Sequence, residues 1–359
     1  MNFKNLIEKF TELAKLDEAA KTQMVSQIKI IYDDILAREL PFNFIIPKND
    51  NKNRKYYACA VDGSKYEVEI NDLVLVIAKV VKIKGAFNEK RSIPDIINED
   101  FRIVGNYFGI PAISNKSLLL MISLETEMIE KCQECDVIFI DGPIVEPPTY
   151  FEDIKIKEFP NLEDIINYRS KVINNLRNKI IIGLVKNFYH RFLINELINF
   201  GYRKLINARE TYIISHLFLK YRKNNNYKGP LALGWIDWEK IATKTLEDLK
   251  GISKVYNLYK NNMELKIISA YLQLSELSPI VRIDLTVSND KVEEKFLNFI
   301  LDWGIETSKE VTLLSKLADE LSTITYRDVL RYIKLFDYIR NKNLEDKIIE
   351  KIMNKKLKL

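Results

Sequence analysis

The chain has few of the residues from which several familiar reaction centres are built. It contains two histidines, three cysteines and eleven glycines in 359 residues. With only His190 and His216 available, and no G-x-S-x-G, a Ser-His-Asp or Cys-His hydrolase is unattractive. Neither G-x-x-x-x-G-K-[ST] nor a strand-borne G-x-G-x-x-G occurs, so a phosphate-cradling glycine loop is not expected. The cysteines form no disulfide framework. Cys132 and Cys135 have C-x-x-C spacing, but a zinc site needs four ligands and no second pair exists. They read as small side chains near a helix end. The longest apolar runs, Leu73–Ala78 and Ile180–Val185, fall far short of the ~18 residues that suggest a membrane span. The opening "MNFKNLIEKF" is charged and amphipathic, without a secretory apolar region, so a cytoplasmic protein is expected.

What is present describes a globular chain: 47% hydrophobic and 29% charged residues, with a net charge of only +5. That balance permits nucleic-acid binding without arguing for it. Helical spacing of Phe3, Leu6, Ile7, Phe10, Leu13 and Leu16, continued by Val25, Ile28, Ile31, Ile35 and Leu36, predicts an N-terminal helical arm within residues 1–50. From Tyr56 the pattern changes to strand. "YYACAVD" reads as one strand closed by a turn at Asp62-Gly63, "KYEVEI" as a second, and Asp72–Ile83 as a third after a turn at Asn71-Asp72. A helix over Ser117–Cys132, a buried strand over Val137–Ile140, a helix over 163–178, a strand over Lys179–Lys186 and a helix from Phe188 to Asn199 follow. The order β-β-β-α-β-α-β-α suggests an α/β fold with a ribonuclease-H-like mixed sheet flanked by helices. The core is expected over 51–200 and 279–325. An elaboration over 201–278 carries the polar basic loop Leu219–Gly229 and part of a strand pair, Glu264–Leu274 with Pro279–Val287; a helical, lysine-rich C-terminus occupies 326–359.

Three acids stand out. Asp62 and Asp141 each follow an apolar run and precede glycine, in "AVDGS" and "IFIDGP". Two adjacent strands would bring them together, and like charges at that distance need a cation between them. Oxygen-only ligands suit Mn²⁺ or Mg²⁺. The bland alternative is two ordinary Asp-Gly turns. Glu125 has Met121, Ile122, Met128 and Ile129 at its helical neighbour positions, so it lies on an apolar face that packs on the sheet. It requires a partner there: either the metal shared with Asp62 and Asp141, or a buried salt bridge to a residue such as arginine. Glu127 and Glu130 belong to a solvated face. Such a set makes a phosphodiesterase site in which two ions about 4 Å apart serve an in-line displacement. Lys186, at the end of the next buried strand, either contacts phosphate or is solvated. Lys220, Arg222, Lys223 and Lys228, interleaved with Tyr221 and Tyr227, either track a DNA strand or form a solvated loop.

The ordered blocks "CAVDGS", "SLETEMIEKCQECDVIFIDGPI", "IIGLVK" and "PIVRIDLTV" resemble the NurA nucleases of archaea and some bacteria, over about residues 56–325. The resemblance implies a ribonuclease-H-like, Mn²⁺-dependent DNA nuclease, with one or two ions. It also implies a homodimer that works with HerA, a hexameric DNA-translocating ATPase, in end resection for recombinational repair, with 5′–3′ exonuclease or endonuclease action. It makes Asp62, Glu125 and Asp141 the metal-binding catalytic acids, and places Arg282 in the family's Arg-hydrophobic-acid strand, where it joins the nucleic-acid-binding set. One block departs. The family has Tyr-Pro followed by Ala-His late in the chain, whereas "KEVTLLSKLADELSTIT" (Lys309–Thr325) has none of tyrosine, proline or histidine. Asp319, after Ala318, stands where the histidine would be. It is expected as a fourth ligand, against the alternative of an ordinary solvated helix face. The departure keeps a second function open, a nuclease-like chain that binds DNA or the ATPase without cleaving. A third, an unrelated structural protein with chance Asp-Gly turns, requires Glu125 to lie away from both aspartates.

Overall fold

A computed structural model describes residues 3–47, 54–70, 73–106, 110–145, 160–188, 190–243, 250–288 and 295–356. A first helix, α1 (Phe3–Leu36), precedes a short strand, β1 (Asn43–Ile45). Two 16-residue strands follow, β2 (Lys55–Ile70) and β3 (Leu73–Asn88), paired antiparallel along their whole length. The turn expected at Asp62-Gly63 is therefore absent: Asp62, Gly63 and Ser64 pair with Val81, Val80 and Lys79 inside the ladder. The reason is the partner. The β-branched run of β3 offers a complete edge, and pairing of Ile70 with Leu73 leaves only residues 71 and 72, outside the described set, to close the hairpin.

Across β3 lie β4 (Lys90–Arg91) and β5 (Asp95–Asn106), an exposed edge strand of mixed polar and apolar residues that the sequence reading did not find. A long helix, α2 (Ile110–Glu130), leads to β6 (Val137–Asp141), parallel to β2; α3 (Leu162–Asn175) leads to β7 (Ile180–Val185), parallel to β6. The spatial order β5-β3-β2-β6-β7, antiparallel then parallel, is the ribonuclease-H-like arrangement.

The sheet then continues. After α4 (Phe192–Asn199) and α5 (Glu210–Asn225) come β8 (Leu231–Asp237), α6 (Trp238–Thr243), α7 (Lys250–Lys260), β9 (Lys266–Gln273) and β10 (Val281–Val287). β10 joins β7 antiparallel, and β9, β8 and β1 extend the sheet to ten strands. Alternation along the strands sends side chains to two cores. Cys59, Val61, Val76 and Val80 face α2 and the helices beyond it, whereas Ala58, Ala60, Val81 and Phe139 face α8 (Lys295–Trp303) and α9 (Leu313–Ser322). A last helix, α10, spans Tyr326–Lys356. No helix among the described residues is long and apolar enough to cross a membrane.

Two expectations fail here. Leu219–Gly229 is not a loop: α5 runs through Asn225 and ends at Asn226 in the left-handed conformation (φ 47°). Lys220 anchors this end of α5 to α1, 3.6 Å from Asp33 and over the Tyr32 ring. The cysteines do form one bridge. Cys59 and Cys135, 76 residues apart, are disulfide-bonded, and Cys132 is free and buried. The C-x-x-C spacing hid this, because Cys135 lies just before β6, whose parallel partner β2 carries Cys59: Ala58 is opposite Val137.

Candidate metal centre and active site

Parallel pairing sets Val61 opposite Ile140, which puts Asp62 and Asp141 side by side on neighbouring strands. Both belong to the sheet face that α9 covers, and α9 carries Asp319. Ligand oxygens of Asp62, Asp141 and Asp319 all lie within 4.8 Å of one another. The two Asp-Gly pairs are built for different reasons. Gly142 has φ +123°, a conformation that lets the chain leave β6 directly after Asp141. Gly63 is extended, and its need is space: a Cβ there would lie 2.8 Å from Glu125 Oε1.

That contact also places Glu125. Residues 62 and 63 point to opposite faces of β2, so Glu125, on α2, approaches from the face opposite Asp319. It does not join the three aspartates at their spacing. Its Oε2 is 3.7 Å from Arg169 Nη1, with both side chains almost wholly buried. The apolar helix position did predict a buried glutamate with a partner; the partner in this structure is the arginine of α3.

The aspartates are held from outside. Ser322, in the last turn of α9, donates from its hydroxyl to Asp62 Oδ2 at 2.8 Å, and Ser64 donates to the Ser322 carbonyl. Lys186, just past β7, donates to Asp141 Oδ2 at 2.7 Å and to Glu310 Oε1 at 2.6 Å. Lys186 is thus neither a free strand-end lysine nor already turned to a phosphate. Glu310 and Ser322 escaped the reading of the sequence. Neither belongs to an apolar run, and their partners lie 124 and 260 residues away.

Burial, and then the charge of Asp141, push the Asp62 carboxyl up to about 8; Asp319 adds to the rise, while the Ser322 hydroxyl and Lys186 oppose it. Burial raises Asp141 too, against the pull of the Lys186 ammonium, and a hydrogen bond from Asp62 favours its charged form. Burial raises Glu310, with Lys186 again opposing. Burial works against the Lys186 ammonium, but Asp141 and Glu310 outweigh it and hold its pKa above the ordinary lysine value. A dication among the three aspartates would offset both the burial and the mutual repulsion that raise Asp62, and so favour its charged form. The donor set, three carboxylates, fits a hard divalent ion.

The expected DNA-contacting residues behave differently. Arg282 is 1% exposed, paired through two nitrogens with Asp284 at 2.9 and 3.0 Å, and lies over the Phe192 ring. It cannot reach a strand of DNA; a guanidinium on a central strand needs that carboxylate to be buried at all. Arg222 is also buried, donating to Gln273 and to the Tyr227 and Gly229 carbonyls. Lys220 is tied to α1, and Tyr221 packs on Phe44 with ring centres 4.5 Å apart. Lys223 and Lys228 are exposed.

Several solved structures share this architecture. The NurA nuclease from Sulfolobus solfataricus is 15% identical, with a TM-score of 0.59 over 95% of this chain and 97% of that one. NurA with manganese is 12% identical, with a TM-score of 0.52 over 90% and 96%. NurA bound to dAMP and manganese is also 12% identical, with a TM-score of 0.51 over 91% and 95%. No curated protein matches the chain. The family model of the NurA domain matches residues 58–346, and the chain belongs to the NurA family.

Proposed function

We propose that this protein is a divalent-metal-dependent DNA nuclease, cytoplasmic and homodimeric. In this reading it acts with a HerA-type hexameric ATPase in DNA end resection and recombinational repair, as a 5′–3′ exonuclease, an endonuclease or both. The observation that carries the reading is the convergence of Asp62, Asp141 and Asp319 from β2, β6 and α9. They would hold one or two Mn²⁺ or Mg²⁺ ions. A divalent ion there supplies positive charge to the phosphodiester and to its leaving oxygen.

The chain's own groups divide the remaining work. Ser322 fixes the Asp62 carboxylate. Lys186, held by Glu310, presents a cation beside Asp141 and offers a point charge to a strand phosphate. Glu125, packed against Gly63 and paired with Arg169, supports the backbone of β2 behind Asp62. The family's nucleotide- and manganese-bound relatives support DNA and manganese as ligands of this chain.

The test is incubation of purified protein with single-stranded and duplex DNA, with Mn²⁺ or with EDTA, beside Asp62→Asn. The reading expects cleavage that needs the metal and falls at least about a hundredfold in the variant, since even outer-sphere changes cost about 10–100-fold. Equal trace degradation by both proteins contradicts it.

A second reading has one observation behind it. The family's late tyrosine and histidine are absent, and Asp319 takes the histidine's place. A non-cleaving subunit would bind DNA or the ATPase and show no Mn²⁺-dependent products.

A further inference from the structure

Between the end of β7 and the start of α5 lies a pocket of about 510 Å³, lined by Lys186, Asn187, Phe188, Arg191, Arg209 and Thr211 among others. It shares Lys186 with the aspartate centre, so the two sites adjoin. Its charge is opposite to that of the centre. Lys186 is already paired with Asp141 and Glu310, but Arg191 and Arg209 line the pocket with one acid, Glu210, which is buried beneath them and hydrogen-bonded by the Tyr271 hydroxyl and the Ile194 amide. Burial raises that carboxyl to about 7, so at neutral pH it carries only part of a negative charge.

The wall is also suited to an anion. α5, 16 residues long, opens here, and its N-cap residue Arg209 makes no side-chain cap. The amide end of the helix therefore meets the pocket together with the exposed Arg209 side chain and the Thr211 hydroxyl. Phe188, packed on Tyr271 with centres 5.2 Å apart, forms a rigid apolar floor, and Arg191 is fixed by donating to the Ile206 carbonyl. The volume lies in the range of small-ligand pockets, enough for a nucleotide.

We infer that this pocket holds a phosphate of the DNA strand being processed, with Arg209 and Arg191 as its binding residues. The inference rests on the nuclease reading and deepens it. It also moves strand recognition away from α5's far end, where Lys220 and Arg222 are committed to other parts of the protein. The phosphate is either internal to the strand or at its 5′ end; the chemistry of recognition is shared.

The experiment is fluorescence anisotropy of single-stranded oligonucleotides, 5′-phosphorylated and 5′-hydroxyl, with the full chain in EDTA across a salt series. Arg209→Glu is expected to weaken binding about tenfold or more and to lower the slope of log affinity against log salt by about 0.7 per lost phosphate contact. Arg191→Ala should act in the same direction, while Arg177→Ala, before the start of β7 and so at the other end of that strand from Lys186, should leave both quantities unchanged. Loss on both oligonucleotides assigns an internal phosphate; loss on the phosphorylated one alone assigns the 5′ end. Unchanged affinity and slope for Arg209→Glu overturn the inference. The nuclease reading fails separately: if wild type does not cleave with Mn²⁺ but Arg209→Glu still loses binding, the pocket stands without it.

Discussion

Ser322 donates a hydrogen bond to Asp62 across 260 residues of chain, at 2.8 Å. The contact ties the last turn of α9 to the middle of β2, so the carboxylate cluster exists only when the C-terminal part has docked on the first strands. Centre and fold are thereby coupled, and several consequences can be measured.

The first concerns pH. Asp62 is raised to about 8 in the folded metal-free chain, against about 4 when unfolded. Between these values the folded state binds more protons, so its stability falls as pH rises from about 4 to about 8. Thermal unfolding in EDTA should show this decline. Asp62→Asn should flatten it in part, since Glu210 is raised to about 7 and contributes with the same sign. Mn²⁺ should reduce it at the high-pH end. An identical pH profile for Asp62→Asn would count against the electrostatic account.

Lys186 neutralises two nearly buried acids, Asp141 and Glu310. Its side chain is 27% exposed, so Lys186→Met should cost about 2 kcal/mol, between the surface and fully buried cases. Urea denaturation checks this. Adding Glu310→Leu should recover part of the loss by removing one stranded carboxylate. The single variant should also bind Mn²⁺ more tightly by electron paramagnetic resonance while cleaving DNA less well.

Asp319 meets Asp62 and Asp141. Asp319→Ala should weaken Mn²⁺ binding by about 10–100-fold or more, and Asp319→His should retain most of it, because imidazole also ligates Mn²⁺. Calorimetric titration separates these outcomes. Equal affinities for wild type and Asp319→Ala would make the residue an ordinary member of the helix.

The Cys59–Cys135 bridge closes a 76-residue separation between β2 and the start of β6. Loop-closure entropy assigns such a link about 4 kcal/mol. Cys59→Ser with Cys135→Ser should melt markedly lower than wild type, and alkylation of denatured, unreduced protein should label one thiol, Cys132. Three labelled thiols would show that the bridge is not formed.

The sequence exposed some of this and hid the rest for physical reasons. Acids beside apolar runs marked Asp62 and Asp141, because a carboxylate there must answer to burial. An acid amid apolar helix neighbours marked Glu125 as buried, but periodicity cannot say which face of β2 its helix covers, and so could not choose between a metal and Arg169. Asp-Gly was misread as a turn because the turn signal is local, whereas the length of β2 is set by β3. Asp319 emerged only by comparison with a family block. Glu310, Ser322 and the disulfide depend on pairings between distant segments, which no short window contains. The Arg282–Asp284 pair shows the opposite risk: a charged residue in a recognisable motif served the core rather than a ligand.

The most direct measurement is Mn²⁺-soaked crystals with anomalous diffraction at the manganese edge. The account predicts a peak bounded by Asp62, Asp141 and Asp319, with Lys186 displaced from Asp141 and still paired with Glu310. No peak there at saturating Mn²⁺, or a peak only beside Cys59, Glu134 and Cys135, would contradict it.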